Sequence, residues 1–437
     1  WLSQATDADK AVTLRFEILN SMRTAKLYDS AQTFMNDWLL VDHLRVKRII
    51  GWKASTFLIA EKPAEAITYA EKLLAGSPRN HPIKVVLITA LTKTKAYSKA
   101  HGLLDKWISE QIKKPDNTQI SQAGMPLTPQ HMIGEYQGLK AGLYVSAGKL
   151  DQADAYAASC IKKDPGNIRV RLGLVSAFEE TKEYDKALTR LDAWIKSLSG
   201  AKTPTTKPSG DSISNALKSC RAAAIGILAT QKAYDKVIKR ADECLKTDPT
   251  NLLVLSWRAS ALNETGHPDK ALADIRKIHT VLPSLPLYKN NLGYQLADMG
   301  LELIEAERLI RQALAATRST SRDYVAPLDS LAWVFYKQGK LNDAGKLFLA
   351  VVKRSRELSY IHPILFDHAG DGFYRLGWTD KAVEFWTKAL KVADEDKTDS
   401  REVRKVKRDT ANKIKAAKAG KTVRIAPLGK GVKIENK

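Results

Sequence analysis

The sequence predicts an all-α protein built as a solenoid of about ten stacked helix pairs. Three observations support this prediction. Apolar residues recur with helical periodicity, and strand-like alternation is nearly absent before the C-terminal tail. A short phrase also recurs: an aromatic residue or leucine, two polar residues, a small residue and then an apolar helical stretch. The phrase returns at a spacing close to 34 residues, as expected when each repeat is one helix pair.

The small residue of this phrase serves as an anchor for aligning the units. The anchors are Ala31, Ala66, Ala100, Ala153, Ala187, Val237, Ala271, Ala306, Ala344 and Ala382. Successive gaps are 35, 34, 53, 34, 50, 34, 35, 38 and 38 residues. Twelve residues before the anchor, five units carry a second small residue: Ala54, Ala141, Ala259, Ala332 and Gly370. Small residues at both positions predict that the two helices of a unit approach each other closely.

Three further features fall in register with the anchors. Four units have a proline twelve residues after the anchor, where it ends the second helix: Pro78, Pro165, Pro249 and Pro283. Glycines five or six residues before the anchor suit a tight turn with positive φ: Gly148, Gly266, Gly300, Gly339 and Gly377. Bulky apolar residues four positions after the anchor are expected to wedge between helices: Leu104, Leu191, Ile275, Ile310, Phe348 and Trp386.

Two gaps exceed the repeat period. They contain a polar stretch at Lys113–Gln130 and a stretch at Gly200–Ser212 that is rich in Thr, Pro, Ser, Gly and Lys. Both are interpreted as surface loops inserted between units. They serve either as flexible decoration or as a flap or boundary that contacts a partner.

The register resembles that of the tetratricopeptide repeat family over roughly residues 10–395. The likeness is strongest in the last four units and weakest at Val237, which replaces the small anchor. The resemblance implies a right-handed superhelix whose first helices line the concave side. It also implies that the groove binds proteins.

The final units carry more specific motifs. They are Asn290-Asn291-Leu292-Gly293-Tyr294, Leu328-Asp329-Ser330-Leu331-Ala332-Trp333 and His368-Ala369-Gly370-Asp371. Over roughly residues 287–393 these resemble bacterial tetratricopeptide proteins of the cell envelope, in which NxLGY, DSLGW and HxGD occur in this order. Ala332 replaces the usual glycine of the second motif. The resemblance favours the bacterial cell envelope or periplasm, with any signal peptide upstream of Trp1.

The same motifs place polar side chains on the first helices of neighbouring units. Together they predict a partly anionic groove that binds a protein or peptide through Asn290, Asn291, Asp329, Trp333, Asp367, His368 and Asp371. Alternatively, Asp329 and Asp367 cap or brace neighbouring helices. His368 and Asp371 alone provide too few ligands for a metal, so no metal site is predicted.

The net charge is +22, from 70 Lys and Arg against 48 Asp and Glu, and it is concentrated near the C-terminus. Residues 397–437 hold 14 basic and 4 acidic residues, a net charge of +10. We therefore divide the chain into a repeat region, 1–395, and a basic capping helix with a flexible tail, 396–437. The basic residues considered for an anionic partner are Arg404, Lys405, Lys407, Arg408, Lys413, Lys415 and Lys418. The alternative is a solvated helix that covers the last apolar face of the array.

The sequence offers no signature of an enzyme. It lacks the HExxH, GxSxG, GxxxxGK[ST] and dinucleotide-binding motifs. Cys160 and Cys244 fall where a small buried residue is expected, and Cys220 is harder to place. No cofactor, small-molecule substrate or transmembrane segment is predicted. We therefore predict a non-catalytic scaffold for a larger complex; the alternative is a protein that binds nucleic acid or an anionic membrane through its basic tail.

Overall fold

Helices account for nearly all of the regular structure. The computed structural model describes residues 15–16, 18–20, 22–23, 26–41, 46–115, 120–122, 125–200, 213–398 and 400–434. The chain divides into two compact units, Trp1–Ile227 and Leu228–Lys437. In the described part of both, the regular structure is helical apart from one pair of short strands. The predicted all-α repeat fold is confirmed.

The described residues of the first unit form nine complete helices, most of a tenth and two short strands, and the helices follow the predicted register. In chain order they are α1 (Tyr28–Val41), α2 (Val46–Ile59), α3 (Pro63–Gly76), α4 (His81–Lys93), α5 (Tyr97–Ile112), β1 (Ile120–Gln122), β2 (Met125–Leu127), α6 (Pro129–Ser146), α7 (Leu150–Lys163), α8 (Ile168–Glu180), α9 (Tyr184–Ser199) and most of α10 (Ile213–Thr230). The unit boundary falls inside α10.

The second unit continues the alternation of first and second helices. Its helices are α11 (Tyr234–Thr247), α12 (Leu252–Glu264), α13 (Pro268–Val281), α14 (Pro286–Asp298), α15 (Leu303–Ala316), α16 (Val325–Lys337), α17 (Leu341–Glu357), α18 (Pro363–Arg375), α19 (Thr379–Glu395) and α20 (Arg401–Lys418). A single 3₁₀ turn, Arg322–Tyr324, precedes α16.

The anchor positions lie where the register predicts, near the start of each second helix. All ten anchor side chains are fully buried, including Val237, the one that departs from the small-residue pattern. The wedge residues follow the same rule, because Leu104, Leu191, Ile310, Phe348 and Trp386 are fully buried and Ile275 is partly buried. The cores of both units are therefore built from the residues that recur in the sequence.

Local signals explain where the helices begin and end. Asn80, Asn167 and Asn251 each precede a first helix, and their side chains accept a hydrogen bond from a first-turn amide. The five predicted turn glycines all adopt positive φ, from 68° to 83°. Units without that glycine place a charged residue in the same conformation, as at Glu61, Lys95 and Lys182.

Helices α6 and α8 touch through their backbones. A Cβ atom added to Gly173 would lie 2.5 Å from backbone atoms of Gly138. One added to Gly138 would lie 2.5 Å from the carbonyl oxygen of Arg169. Because side-chain carbons are not found this close to other atoms, both positions require glycine. This contact fixes the spacing of neighbouring first helices in the first unit.

The first inserted stretch differs from the prediction of a plain loop. Strands β1 and β2 pair antiparallel, with Ile120 opposite Leu127 and Gln122 opposite Met125. Pro126 excludes a helix there, and strand pairing satisfies backbone groups that a loop would leave to solvent. The second insertion begins after α9 ends at Ser199, as predicted. Residues 201–212 lie outside the described residues.

All three cysteines are buried, and none of them forms a disulfide. Cys160 and Cys220 lie in one apolar cluster of the first unit, which provides the position that the sequence left open for Cys220. Burial raises the pKa of both thiols, to about 11 for Cys220. They pack as small apolar side chains.

Near the C-terminus a basic helix is followed by a stretch that is hydrogen-bonded to the repeat helices, at the place where the sequence predicts a flexible tail. Helix α20 begins after Ser400, whose hydroxyl accepts a hydrogen bond from the Val403 amide. Residues 420–434 then run without helix or strand against α16 and α18, where the amides of Val423, Ala426 and Gly429 and the carbonyl of Ala426 are hydrogen-bonded. These bonds hold the tail in place. Its glycines and Pro427 are compatible with a path that is not helical. We call residues 400–434 the C-terminal segment.

Candidate functional site

Four of the predicted groove residues form one buried cluster in the second unit. Asp329 lies on α16, and Asp367, His368 and Asp371 lie on α18. Their residual exposure is 3%, 8%, 2% and 2% respectively. We call these four residues the acidic cluster. Burial of this many charges is costly unless each is paired, so their partners decide what the cluster does.

Lys413 of the C-terminal segment neutralises two members of the acidic cluster. Its Nζ atom lies 2.8 Å from Oδ1 of Asp367 and 2.6 Å from Oδ1 of Asp371. Thr410, one turn earlier on α20, donates its hydroxyl to Asp367 at 3.0 Å. Burial alone would lower the pKa of Lys413, but the two carboxylates raise it, so the ammonium is retained.

Asp371 is the most heavily bonded member of the acidic cluster. Besides Lys413, it accepts hydrogen bonds from the indole nitrogen of Trp386 at 3.0 Å and from the amide of Ala426 at 2.9 Å. Burial and the charge of Asp367 raise its pKa, although Lys413 opposes this shift. One carboxylate thus joins a repeat helix to both the helical and the extended part of the C-terminal segment.

His368 and Asp329 form a second buried pair. The Nδ1 atom of His368 lies 2.9 Å from Oδ2 of Asp329, and its ring stacks on Trp333 with a centroid distance of 3.8 Å. Burial lowers the pKa of His368, but the Asp329 carboxylate outweighs it, so the net shift is upward. Trp333 donates its indole N–H to Asp298 at 3.3 Å. The arrangement favours a charged histidine held between a carboxylate and an aromatic face.

The extended part of the C-terminal segment is bound largely through its main chain. The Val423 amide donates to the Tyr374 hydroxyl at 3.0 Å, and the Gly429 amide donates to the Lys337 carbonyl at 2.8 Å. The Ala426 carbonyl accepts from Arg375 at 2.8 Å and also from the Tyr336 hydroxyl. Side chains at the ends of α16 and α18 are therefore placed to bind peptide backbone.

The two asparagines are not part of the acidic cluster. Asn291 is exposed on α14, and Asn290 is half-buried with its side-chain oxygen lacking a hydrogen-bond partner. Their motif contacts the acidic cluster through Tyr294, whose ring centroid lies 6.2 Å from that of His368. The structure thus brings together five of the seven predicted groove residues.

The basic residues of α20 divide into paired and exposed groups. Lys413 is buried, Arg404 bonds Glu264 at 3.2 Å, and Lys407 lies 3.9 Å from Asp394. Arg408 pairs with its neighbour Asp409 at 2.7 Å. The remaining members of the predicted set are exposed: Lys405, Lys415 and Lys418.

Several residues of the site were missed by the sequence reasoning. They are Thr410, Trp386, Tyr336, Arg375 and the main chain around Ala426. One signal was present: Val403, Val406, Thr410 and Lys413 form a row on one face of α20, and all four are buried. A lysine in an otherwise uncharged buried row indicates an acidic partner.

The described residues contain neither a metal-binding cluster nor a membrane-spanning helix. Among them, no group of three or more His, Cys, Asp and Glu side chains is arranged to hold a metal ion. Within the same part of the chain, no helix has the length and apolar character needed to span a bilayer.

Known proteins match parts of this chain. The tetratricopeptide repeat family model matches residues 144–199. A tetratricopeptide repeat-containing protein of Pseudomonas aeruginosa is 30% identical over 127 residues, which are 29% of this chain and 21% of the relative. The chain therefore spans about a fifth of that relative's length.

Two solved structures are also similar. A tetratricopeptide repeat protein from Parabacteroides merdae is 15% identical, with a TM-score of 0.40, over 64% of this chain and 99% of that one. The MamA protein is 18% identical, with a TM-score of 0.32, over 41% of this chain and 92% of that one. The tetratricopeptide repeat family model thus matches one segment of this chain, and helix pairs with a period near 34 residues recur in both units.

Proposed function

We propose that this protein is a non-catalytic scaffold that holds a protein or peptide partner on the first helices of its second unit, within a larger complex. One observation supports this function above the others. Side chains of α16 and α18 bind the main chain of an extended segment through the Ala426 amide and carbonyl. Hydrogen bonds to peptide backbone give affinity that does not depend on the sequence bound.

The proposed binding face retains the residues identified from sequence. It comprises Asn290, Asn291, Asp329, Trp333, Asp367, His368 and Asp371. Asn291 is the member that is exposed, so it is the position at which a bound partner can be detected without disturbing the buried cluster.

Site-specific photocross-linking tests this assignment. A photoreactive amino acid is introduced at Asn291 and, as a matched control, at Lys346, which is exposed on the second helix α17. In the native host, Asn291 is expected to cross-link to a defined partner that purifies with the intact protein, whereas Lys346 is not. Equal cross-linking at both positions would show that the first-helix face is not the binding face.

A second candidate function is supported by the exposed lysines of α20. Lys405, Lys415 and Lys418 provide a positive surface for nucleic acid or anionic lipid headgroups. Changing these three to glutamine should abolish salt-sensitive binding to RNA or to phosphatidylserine vesicles. The control is the same change at Lys236, Lys239 and Lys246, which are exposed on α11. Equal binding by both variants would exclude the α20 surface.

We also propose a bacterial cell-envelope location and the absence of catalytic activity. The location is supported by the motifs at residues 290–294, 328–333 and 368–371. Fractionation of the host tests it, because a protein found only in the cytosol would exclude it. A partner enzyme co-purifying with the scaffold would identify the complex.

A further inference from the structure

We propose that the C-terminal segment is a tethered ligand in a peptide-binding groove of the second unit. The groove would accept, from a protein partner, a segment of the same chemistry: an amphipathic helix with one lysine in its buried row, followed by an extended stretch. This inference rests on the proposed scaffold function and specifies the partner. It also means that the free protein covers its own groove.

The helical part of the segment has the form of a bound ligand. Its buried row of Val403, Val406, Thr410 and Lys413 faces the repeat, while most of its other charges are directed to solvent. Amphipathic helices docked in grooves present residues at this i, i+3, i+7 spacing. The helix therefore contacts the repeat through one face only.

The acidic cluster explains which helix the groove selects. Asp367 and Asp371 are almost fully buried, and the ammonium of Lys413 bonds both. An apolar residue at that position would leave two carboxylates buried without a cation, which is strongly unfavourable. The groove therefore requires one positive charge at a fixed place in the helix.

The extended part contributes contacts that any peptide can make. Asp371, Tyr374 and Arg375 bond the main chain of Val423 and Ala426. Substituting another sequence leaves these bonds intact, provided that the backbone is extended. The lysine thus fixes the position of the bound segment in the groove. The rest of the groove tolerates different sequences.

The segment is attached at its start by weaker interactions. Arg401 and Arg404 contact the exposed end of α12 through Glu264 and the Asn263 carbonyl, and Lys232 bonds the Thr398 carbonyl at 2.7 Å. Exposed ion pairs of this kind contribute little stability. Displacement by a partner is expected to begin here, next to residues 396–398.

A nicked full-length protein tests the proposal. A site-specific protease sequence is inserted after Thr398, the chain is cut, and both pieces are kept together. A fluorescent peptide of residues 400–434 is then added, and its binding is followed by anisotropy. The comparison peptides carry Lys413→Met, or Lys415→Met at an exposed position of the same helix.

The nicked protein is expected to retain its helical circular dichroism and to exchange its own segment for the labelled peptide. The Lys415→Met peptide should bind as the wild type does, and the Lys413→Met peptide more weakly by a factor of at least about 30. Unfolding on cleavage would show that the segment is part of the core, and failure to exchange would show that it is not displaceable. Equal binding of both variants would overturn the role of Lys413.

The outcomes that would contradict the tethered ligand can be told apart from failure of the proposed scaffold function. Cross-linking from Asn291 in the intact protein reports on partner binding without requiring the segment to leave. A partner captured there by a protein whose segment does not exchange would support the scaffold and overturn the tethered ligand.

Discussion

The Nζ atom of Lys413 lies 2.6 Å from a carboxylate oxygen of Asp371, although 42 positions separate the two residues in the chain. Both side chains are buried, and Asp367 shares the same ammonium. The pair links α20, the last helix among the described residues, to the His368–Asp371 motif on α18. It therefore sets both the stability of the second unit and the accessibility of its proposed binding face.

Replacing Lys413 should destabilise the second unit strongly. Lys413→Met leaves Asp367 and Asp371 buried without their cation, which we expect to cost about 3–5 kcal/mol. Urea unfolding followed by circular dichroism measures the change. Lys415→Met, on the exposed side of the same helix, should change stability by less than about 0.5 kcal/mol. Adding Asp367→Asn and Asp371→Asn to Lys413→Met should restore part of the loss, and absence of rescue would contradict an electrostatic cause.

Stability should fall as the pH rises through the pKa of His368. The pKa of His368 is raised because the attraction of Asp329 outweighs its burial. Charged His368 therefore stabilises the fold fully below about pH 6.5, the unfolded value, and this contribution is lost as the pH rises through the folded pKa. The urea midpoint should decrease above about pH 6.5, and His368→Gln should flatten that decrease. His267→Gln, at an exposed histidine of the same unit, should leave the profile unchanged.

A methyl group at the α6–α8 contact should be poorly tolerated. Gly173→Ala places a carbon 2.5 Å from the backbone of Gly138 and should cost at least about 1–3 kcal/mol. Gly102→Ala is the matched control, because nothing lies within 4 Å of its added carbon, and it should stabilise α5 by up to about 1 kcal/mol. Thermal unfolding of both variants measures the difference. Equal effects would show that the backbones do not meet as described.

The Tyr374 hydroxyl should hold the extended tail. It accepts a hydrogen bond from the Val423 amide, so Tyr374→Phe leaves that buried amide unpaired. We expect loss of this hydrogen bond to cost about 1–1.5 kcal/mol. Amide exchange across residues 420–434 should therefore accelerate by a factor of about 10. Hydrogen-exchange mass spectrometry measures this. Tyr288→Phe is the control, and acceleration in both variants would indicate a general loosening instead.

Much of the fold follows from local patterns in the sequence. Anchors such as Ala306 are buried in the predicted helices, and turn glycines such as Gly339 have positive φ, because each depends on neighbours within one repeat. The acidic cluster was located for the same reason, through the register of Ala332 and Gly370. Local pattern does not specify which distant element covers a face, so the pairing of Lys413 with that cluster was not predicted.

The strands of the first insertion show the same limit. The two strands that pair Ile120 with Leu127 are short and lie in a polar stretch. The sequence therefore gives no strand signal for either of them. The flanking helices α5 and α6 pack against each other. Tertiary constraint here overrides a composition typical of loops.

The C-terminal segment follows the repeat helices in the chain, so it is synthesised after them. Helices α12 to α19 emerge from the ribosome before residues 400–434 do, so their carboxylates emerge before the cation that pairs with them. A newly made chain therefore presents an open anionic face until residues 400–434 emerge. A transcript truncated before Lys413 would yield a product that keeps this face uncovered and is prone to capture by chaperones or degradation.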